Sequence, residues 1–428
     1  MRVHLRTLGC RLNQSEIDTM ARQFLGQGHE IVDDPIQADW VVVNTCAVTG
    51  EASRKSRQLI REAGRANAGA QITVTGCYAQ IAPHEIAVLP GVTRVVNNLG
   101  KDALVEQVTG APVEPFDLEP LARAEVMRGA SGRTRAFVKA QDGCNNACTF
   151  CITTVARGAG RSRPLADVVN EIRLLVALGY QEAVLTGVHL GSYGHDLGNP
   201  GGLADLVRAV LVDTDIARLR LSSLEPWDLD ASFFTLWDNA RLCPHLHLPL
   251  QSGCDATLRR MSRRTSQASF RALVAAARQR VPDISITTDV IVGFPGETDA
   301  EFAVSEAFVA EMEFAGLHVF RYSRRPGTAA ARMRGQIPEN VKRVRSNRLH
   351  ALAARAQRHY AGRFIGCTLP VLWEQIGGAQ QDGFVNLGYT DNYVRVRCVH
   401  PRPLTNSVTP ARMDFFDGEL FNVTPVLV

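Results

Sequence analysis

The chain has 428 residues, 45% of them hydrophobic, and a formal net charge of +4. That length suits two or three domains, each able to bury its own core. No apolar run approaches the ~20 residues of a membrane span, and the first residues open directly into a strand pattern, so neither a membrane protein nor one led by a signal peptide is expected. Ten cysteines, three of them packed within eight residues, argue against an oxidising compartment, where such thiols would pair. The expected location is the cytoplasm.

In the first hundred residues three units share one grammar. Residues 3–8 read as a strand ending at Gly9-Cys10, residues 40–45 as a strand ending at Cys46, and residues 72–75 as a strand ending at Gly76-Cys77. Residues 15–26 and 53–67 between them carry helical periodicity with polar faces. Strands alternating with helices imply a doubly wound parallel sheet, whose ligands sit beyond the strand carboxyl ends. All three cysteines fall at that edge, and no fourth thiol accompanies them, so they point to a metal site left open at one position.

Residues 106–133, with Gly110, Pro112, Pro115 and Pro120, read as a linker between a first domain over 1–105 and a second over 134–362. A strand at 135–140 then leads into Gly143-Cys144-Asn145-Asn146-Ala147-Cys148-Thr149-Phe150-Cys151. Soft thiolates spaced Cys-x3-Cys-x2-Cys suit zinc or an iron–sulfur cluster. A structural zinc site would close with a fourth Cys or His nearby, and the first His after Cys151 is His189. An open iron–sulfur site, a closed zinc site and a chance group of buried thiols all remain readings of the spacing.

Further strands are expected at 183–188, 219–224, 245–250, 285–292 and 316–322, with an amphipathic helix over 165–178. With the strand before the cysteines they make six strand–helix units, a partial parallel barrel whose chemistry belongs at the strand carboxyl ends. Gly187, Ser222, Ser223, Glu225, Gln251, Ser252, Gly293 and Gly296 fall there, as does the arginine-rich loop of Arg157, Arg161 and Arg163. His245 and His247 share one strand face, either as hydrogen-bonding groups of the barrel interior or as a metal pair. From 318 to 363 the chain holds eleven Arg and one Lys against one acid, Glu339, although Lys appears only four times in all. Concentrated arginine suits phosphate contacts, or a solvated helix face. From 363 onward short alternating segments at 368–373, 383–386, 392–397 and 419–423 imply a small all-β barrel, in which Tyr389, Tyr393, Arg395 and Arg397 could join stacking to phosphate contact.

The run GCNNACTFCITTVARGAGRSR resembles the radical S-adenosylmethionine (SAM) superfamily, and within it the methylthiotransferases. TLGCRLNQSE, VVNTCAVT and TGCYAQ are similar to the amino-terminal domain of that family, and GYTDNYVRV resembles the RNA-binding TRAM barrel. The resemblance implies an α/β protein with an N-terminal doubly wound sheet, a central (β/α)6 radical SAM barrel and a C-terminal TRAM barrel over 363–428. It implies two 4Fe–4S clusters, one held by Cys144, Cys148 and Cys151 with SAM on its open iron, and an auxiliary one held by Cys10, Cys46 and Cys77. Gly187 occupies the place of the family's methionine-amine-binding loop, and Ser223, Glu225, Gln251 and Gly293 are further candidate SAM contacts. One SAM would methylate sulfur at the auxiliary cluster, and a second would yield the radical.

Within the family, GCRLNQSE, LTGVHLGSYG and LSSLEP look like the branch that acts on N(6)-threonylcarbamoyladenosine beside the tRNA anticodon and adds a methylthio group at adenine carbon 2. The expected partners are tRNA and an electron donor such as flavodoxin or ferredoxin, with the protein acting as a monomer away from membranes. One alternative is a sister activity on isopentenyladenosine in tRNA, and another acts on a ribosomal-protein aspartate. That last branch usually carries proline after the first cysteine, where this chain has Arg11. The plainest alternative is a metal-stabilised RNA-binding protein without catalysis. Among the donors that could receive a threonylcarbamoyl carboxylate, the sequence offers Arg157, Arg161, Arg163, Arg321, Arg324 and Arg325.

Overall fold

A computed structural model describes residues 1–113, 134–199 and 201–426, so most of the expected linker lies outside the described residues. The first sheet comprises β1 (Arg2–Thr7), β2 (Glu30–Ile31), β3 (Trp40–Thr45), β4 (Gln71–Gly76) and β5 (Val92–Val95). All its pairings are parallel, in the order β2-β1-β3-β4-β5. The run Val41-Val42-Val43 is buried on both faces, as a central parallel strand requires. The edge strands β2 and β5 escape the sequence reading because they are two and four residues long, too short for a period of two to register. Helices Arg11–Gly26 and Gly50–Ala66 cover the sheet.

The middle domain contains β6 (Arg135–Lys139), the short hairpin pair β7 (Gln141–Asp142) and β8 (Arg161–Ser162), β9 (Glu182–Thr186), β10 (Arg218–Leu221), β11 (His245–His247), β12 (Ser285–Val292) and β13 (Gly316–Arg321). β10-β9-β6 and β11-β12-β13 form two parallel three-stranded sheets. Parallel bridges Leu219–Leu242 and Ser223–His247 join them into one curved wall of six strands, as the six strand–helix units predict. Helices Leu165–Ala177, Gly202–Asp213, Gln267–Arg280 and Asp299–Glu311 lie outside this wall. Val168, Ile172, Leu206, Val210 and Phe270 are buried with the strand leucines in one core.

Helix Glu339–Gly362 leads into a closed barrel of β14 (Thr368–Gln380), β15 (Gly383–Thr390), β16 (Arg395–His400), β17 (Val408–Phe416) and β18 (Phe421–Pro425), in the order β14-β15-β16-β18-β17. The sequence reading found four of these strands. It missed β17 because Pro410 interrupts the pattern, and in the structure Pro410 lies opposite Pro370 of β14, where neither residue has an N–H to give. Among the described residues no helix is long and apolar enough to cross a membrane.

The turn at Asp391-Asn392-Tyr393 closes the amino-terminal end of the six-stranded wall. Arg220 is fully buried and donates from Nη1 to the Asp391 carbonyl (2.9 Å), and Arg218 donates to the Thr390 carbonyl (2.9 Å). The Tyr393 ring stacks on Tyr389 at 4.9 Å, lies 4.6 Å from His245, and is flanked by the guanidinium groups of Arg135 and Arg220. The two tyrosines expected as RNA platforms are therefore joints between domains, and Arg395 and Arg397 pair with Glu419 and Asp417 of their own barrel. Beneath them Glu182, with no exposure, accepts from Arg220 (2.7 Å) and pairs with Arg218 (2.9 Å). Burial alone would raise the Glu182 pKa, but Arg220 and Arg218 overcome it and hold the group at about 2. Its stabilisation is therefore whole above the ordinary value of 4.5 and is lost as the pH falls towards 2. Glu182→Gln leaves buried guanidinium groups uncompensated and is expected to cost about 3–5 kcal/mol. Denaturant titration at pH 7 checks this, and the deficit relative to the wild type should shrink as the pH is lowered below 4.5.

Candidate functional site

Cys10, Cys46 and Cys77 each follow a strand of the first sheet and line one cavity of about 660 Å³. Gly9 permits this approach, because its φ of +123° is strained for other residues and a Cβ there would sit 2.9 Å from the Cys46 Cβ. The opposite side of the cavity comes from the middle domain and includes Gly187, Ser222, Ser223, Glu225 and Gln251, all at strand carboxyl ends. Gln251 has a φ of +71° and is held between Asp289 and Ile291 of β12 by backbone hydrogen bonds. Gly293 is set back from this cavity. A Cβ there would meet the Lys342 side chain at 2.3 Å, and its N–H is taken by the Glu297 carboxylate.

Cys144, Cys148 and Cys151 lie on the loop after β7. Gly143 starts the loop with a φ of +71°, where a Cβ would stand 1.9 Å from the Ala159 carbonyl oxygen. The Cys144 sulfur accepts from the Asn146 N–H and the Cys151 sulfur from the Thr153 N–H, both at 3.4 Å. Burial pushes the Cys46, Cys148 and Cys151 thiols up, Cys46 to about 11, so a metal must displace their protons on binding. Among the described residues only one set of three His, Cys, Asp or Glu ligand atoms lies mutually within 4.8 Å, and it is neither cysteine triad. A single zinc would need its sulfurs about 3.8 Å apart, given Zn–S of about 2.3 Å. N–H groups aimed at the Cys144 and Cys151 sulfurs are the kind of contact that tunes an iron–sulfur cluster at that triad.

Two charged groups that the sequence reading passed over stand beside the loop cysteines. Arg263 is buried, pairs with Glu225 through both terminal nitrogens (2.9 and 2.6 Å), stacks 4.4 Å from the Trp227 ring and lies 3.8 Å from the Cys148 sulfur. His189 holds Asp228 at 2.6 Å. Burial alone would depress the His189 pKa, but Asp228 and the Cys144 sulfur raise it to about 10, so the ring carries a charge. The legible signal for His189 is its place two residues past Gly187, where β9 ends. Arg263 gave none, since it lies in a turn and reaches the site only through the fold. The third missed group is the set of three close ligand atoms, His247, Asp289 and His318, which also lines the cavity.

Arg157 corrects an expectation. Offered by the sequence as a receptor for a ligand carboxylate, it is instead 3% exposed and paired within the protein, close to Cys10 and Cys77. It donates to Glu16 (2.9 Å) and Asn13 (2.6 Å) of the first domain and to Asp142 (2.9 Å) of the middle one. Lys101 completes the group by donating to Glu16 at 2.7 Å. Burial opposes the Arg157 charge, but Glu16 together with Cys77, Asp142 and Cys10 holds its pKa well above the usual value. The other expected carboxylate receptors are also largely committed. Arg163 pairs with Glu171, Arg324 donates to the Ala331 carbonyl, Arg325 to Ser53, and Arg321 faces Glu339 at 3.6 Å. Arg161 is half exposed, 3.9 Å from Asp142.

Two family models match this chain: residues 2–97 match uncharacterized protein family UPF0004, and residues 138–309 match the radical SAM superfamily. The threonylcarbamoyladenosine tRNA methylthiotransferase MtaB of Bacillus subtilis is 38% identical over 404 residues, covering 92% of this chain and 89% of that one. The protein of the same name from Thermotoga maritima is 38% identical, over 92% of this chain and 90% of its own. A tRNA-2-methylthio-N(6)-dimethylallyladenosine synthase from Maricaulis maris is 35% identical over 89% of each chain. Among solved structures, the radical S-adenosylmethionine methyltransferase TsrM of Kitasatospora setae shares the fold with a TM-score of 0.57 at 17% identity, over 77% of this chain and 76% of that one.

The ion group at Arg157 generates a prediction about the apoprotein. Arg157→Met should leave Asp142 without its close partner and Glu16 with Lys101 and the Asn44 amide, destabilising the docked domains by about 3–5 kcal/mol. Arg157→Lys, which keeps the charge but loses the fork, should fall between. Anaerobic calorimetry of the metal-free variants checks the order.

Proposed function

Because the chain belongs to the family of radical SAM tRNA methylthiotransferases, we propose that it adds a methylthio group to carbon 2 of N(6)-threonylcarbamoyladenosine beside the tRNA anticodon. The observation that carries this reading is the single cavity lined jointly by Cys10, Cys46 and Cys77 and by the barrel strand ends. Its volume suits a nucleoside-sized ligand. The relatives named for threonylcarbamoyladenosine reach 38% identity, against 35–37% for the more similar ones named for the dimethylallyl nucleoside.

Radical SAM enzymes hold a 4Fe–4S cluster and SAM, and in this chain Cys144, Cys148 and Cys151 would be the ligands. Cys10, Cys46 and Cys77 would hold a second cluster as the site of sulfur transfer. Bound there, the two clusters and SAM supply radical and sulfur chemistry at an aromatic carbon that acid, base or nucleophilic side chains cannot activate. The chain's own residues position and insulate. Gly187 leaves room for close backbone approach, and Ser223, Glu225 and Gln251 offer polar contacts to SAM. Arg263 fixes the Glu225 carboxylate while presenting positive charge to the Cys148 sulfur. His189 does the same for Cys144, and Arg157 places a cation between Cys10 and Cys77. Such charges stabilise thiolates and favour the more negative form of a cluster. An external one-electron donor such as flavodoxin or ferredoxin, action as a monomer and a cytoplasmic location belong to the same proposal.

Two outcomes test the division of labour. Anaerobically reconstituted protein should lose about half its iron when Cys144, Cys148 and Cys151 are all replaced by Ala. When Cys10, Cys46 and Cys77 are replaced instead, SAM should still be cleaved to 5′-deoxyadenosine, with no methylthio nucleoside in the mass spectrum. Full product yield from that variant would contradict the second site.

For tRNA binding the structure narrows the candidates. Arg345 is buried against Glu297 and Asp299, Arg348 faces Glu306, and Arg363 faces Asp283. Arg343, Arg355 and Arg358 are exposed and have no acid partner among the described residues. Replacing these three with Gln should reduce the log–log salt slope of tRNA binding by roughly 0.7–0.9 for each phosphate left unneutralised, while Arg345→Gln should act on stability instead.

A further inference from the structure

The cavity has one wall whose chemistry the cluster and SAM assignments leave unused. His247 of β11, Asp289 of β12 and His318 of β13 stand side by side on adjacent strands, with one ligand atom of each mutually within 4.8 Å. His247 is fully committed: its Nδ1 meets the Thr287 hydroxyl at 2.9 Å and its Nε2 the Asp289 Oδ1 at 3.3 Å. The same Asp289 oxygen takes His318 Nδ1 at 3.1 Å. That bond fixes the plane of the His318 ring, whose side chain keeps 64% of its exposure, and its Nε2 has no protein hydrogen bond among the described residues.

The other cations on this cavity are occupied. Arg157 is saturated by Glu16, Asp142 and Asn13. Arg11 donates to the Tyr393 hydroxyl at 3.0 Å and lies over its ring. Arg325 lines a smaller adjoining cavity beside Cys151. A ligand that carries an anion into the main cavity therefore finds one oriented and uncommitted nitrogen, that of His318. A ligand carboxylate at Nε2 would pair with the imidazolium form, in which both ring nitrogens donate. Histidine backed by a carboxylate is held in one orientation by that bond.

Resting on the reading above, we propose that His318, oriented by Asp289 and in turn by His247, is the specificity-determining residue that receives the carboxylate of the N(6)-threonylcarbamoyl group. A nucleoside with an apolar N(6) branch covers this donor without pairing it, which disfavours that substrate. The row thus replaces the arginines that the sequence offered for the same task.

The test compares anticodon stem-loops bearing the threonylcarbamoyl free acid with ones bearing its methyl ester, using the full-length reconstituted enzyme. The wild type should prefer the acid, and His318→Leu should lower kcat/KM for the acid about 10- to 100-fold while changing the ester little, so that the preference collapses. His318→Gln restores an N–H donor and should recover part of the preference, and iron content equal to the wild type shows that the variants are folded and loaded. An unchanged acid-to-ester ratio in His318→Leu overturns the role of the histidine and leaves the reading of the enzyme standing. Stoichiometric zinc or a ninth iron that disappears with His318 would likewise overturn it, in favour of a metal site. No methylthio product from either substrate with wild-type protein contradicts the functional reading itself.

Discussion

The arrangement depends on a buried ion group at the seam between two domains. Arg157 reaches from the loop that carries Cys144, Cys148 and Cys151 to Glu16, on the helix that follows Cys10. Lys101 closes the group from the far end of the first domain, and Asp142 from the base of the cysteine loop. Charges this deep are costly unless each is paired and hydrogen-bonded, so the group tolerates one docking geometry and penalises others. That geometry turns the carboxyl rim of the first sheet towards the carboxyl ends of the partial barrel. Lys139, which donates through its backbone N–H to Ser15 and through Nζ to Asp102, and Arg22, which pairs with Glu171, extend the seam on both sides. The cavity of about 660 Å³ at this seam is lined by Cys10, Cys46 and Cys77 on one side and by the barrel strand ends on the other.

The opposite end of the barrel is closed by the same means. Glu182 draws Arg218 and Arg220 inward, and their remaining donors hold the backbone of the turn that carries Tyr393. The small C-terminal barrel is thus locked to the catalytic domain through arginines of strands β6 and β10. Tyr389 and Tyr393 are taken up in that joint. Much of the arginine in this chain builds joints: Arg157, Arg218, Arg220, Arg263 and Arg345 are all buried and paired with acids.

The three strands that end at cysteines, and the loop that carries three thiols, were legible because each rests on local pattern: an apolar run ending at a Cys, or three thiols in eight residues. The partial barrel could be counted from six such runs. Arg157, Arg263 and His318 were not legible in their roles, because burial and partnership are set by residues 15 to 141 positions away in the chain. Arg157 read as a possible carboxylate receptor, whereas Glu16, Asn13 and Asp142 occupy it. His245 and His247 were placed on one face, but their neighbours decide their fates: Tyr393 covers the first, and Asp289 ties the second to His318. The strand over Val408–Phe416 was hidden by a proline that only its register explains.

The central proposal is that two open thiolate triads, one in each domain, hold iron–sulfur clusters. Crystals of anaerobically reconstituted protein, measured across the iron and zinc absorption edges, test it most directly. The account predicts two iron anomalous peaks, one within bonding distance of Cys144, Cys148 and Cys151 and one of Cys10, Cys46 and Cys77, with open space between them and no zinc signal at either. A single iron site, or a zinc edge at either triad, would contradict it.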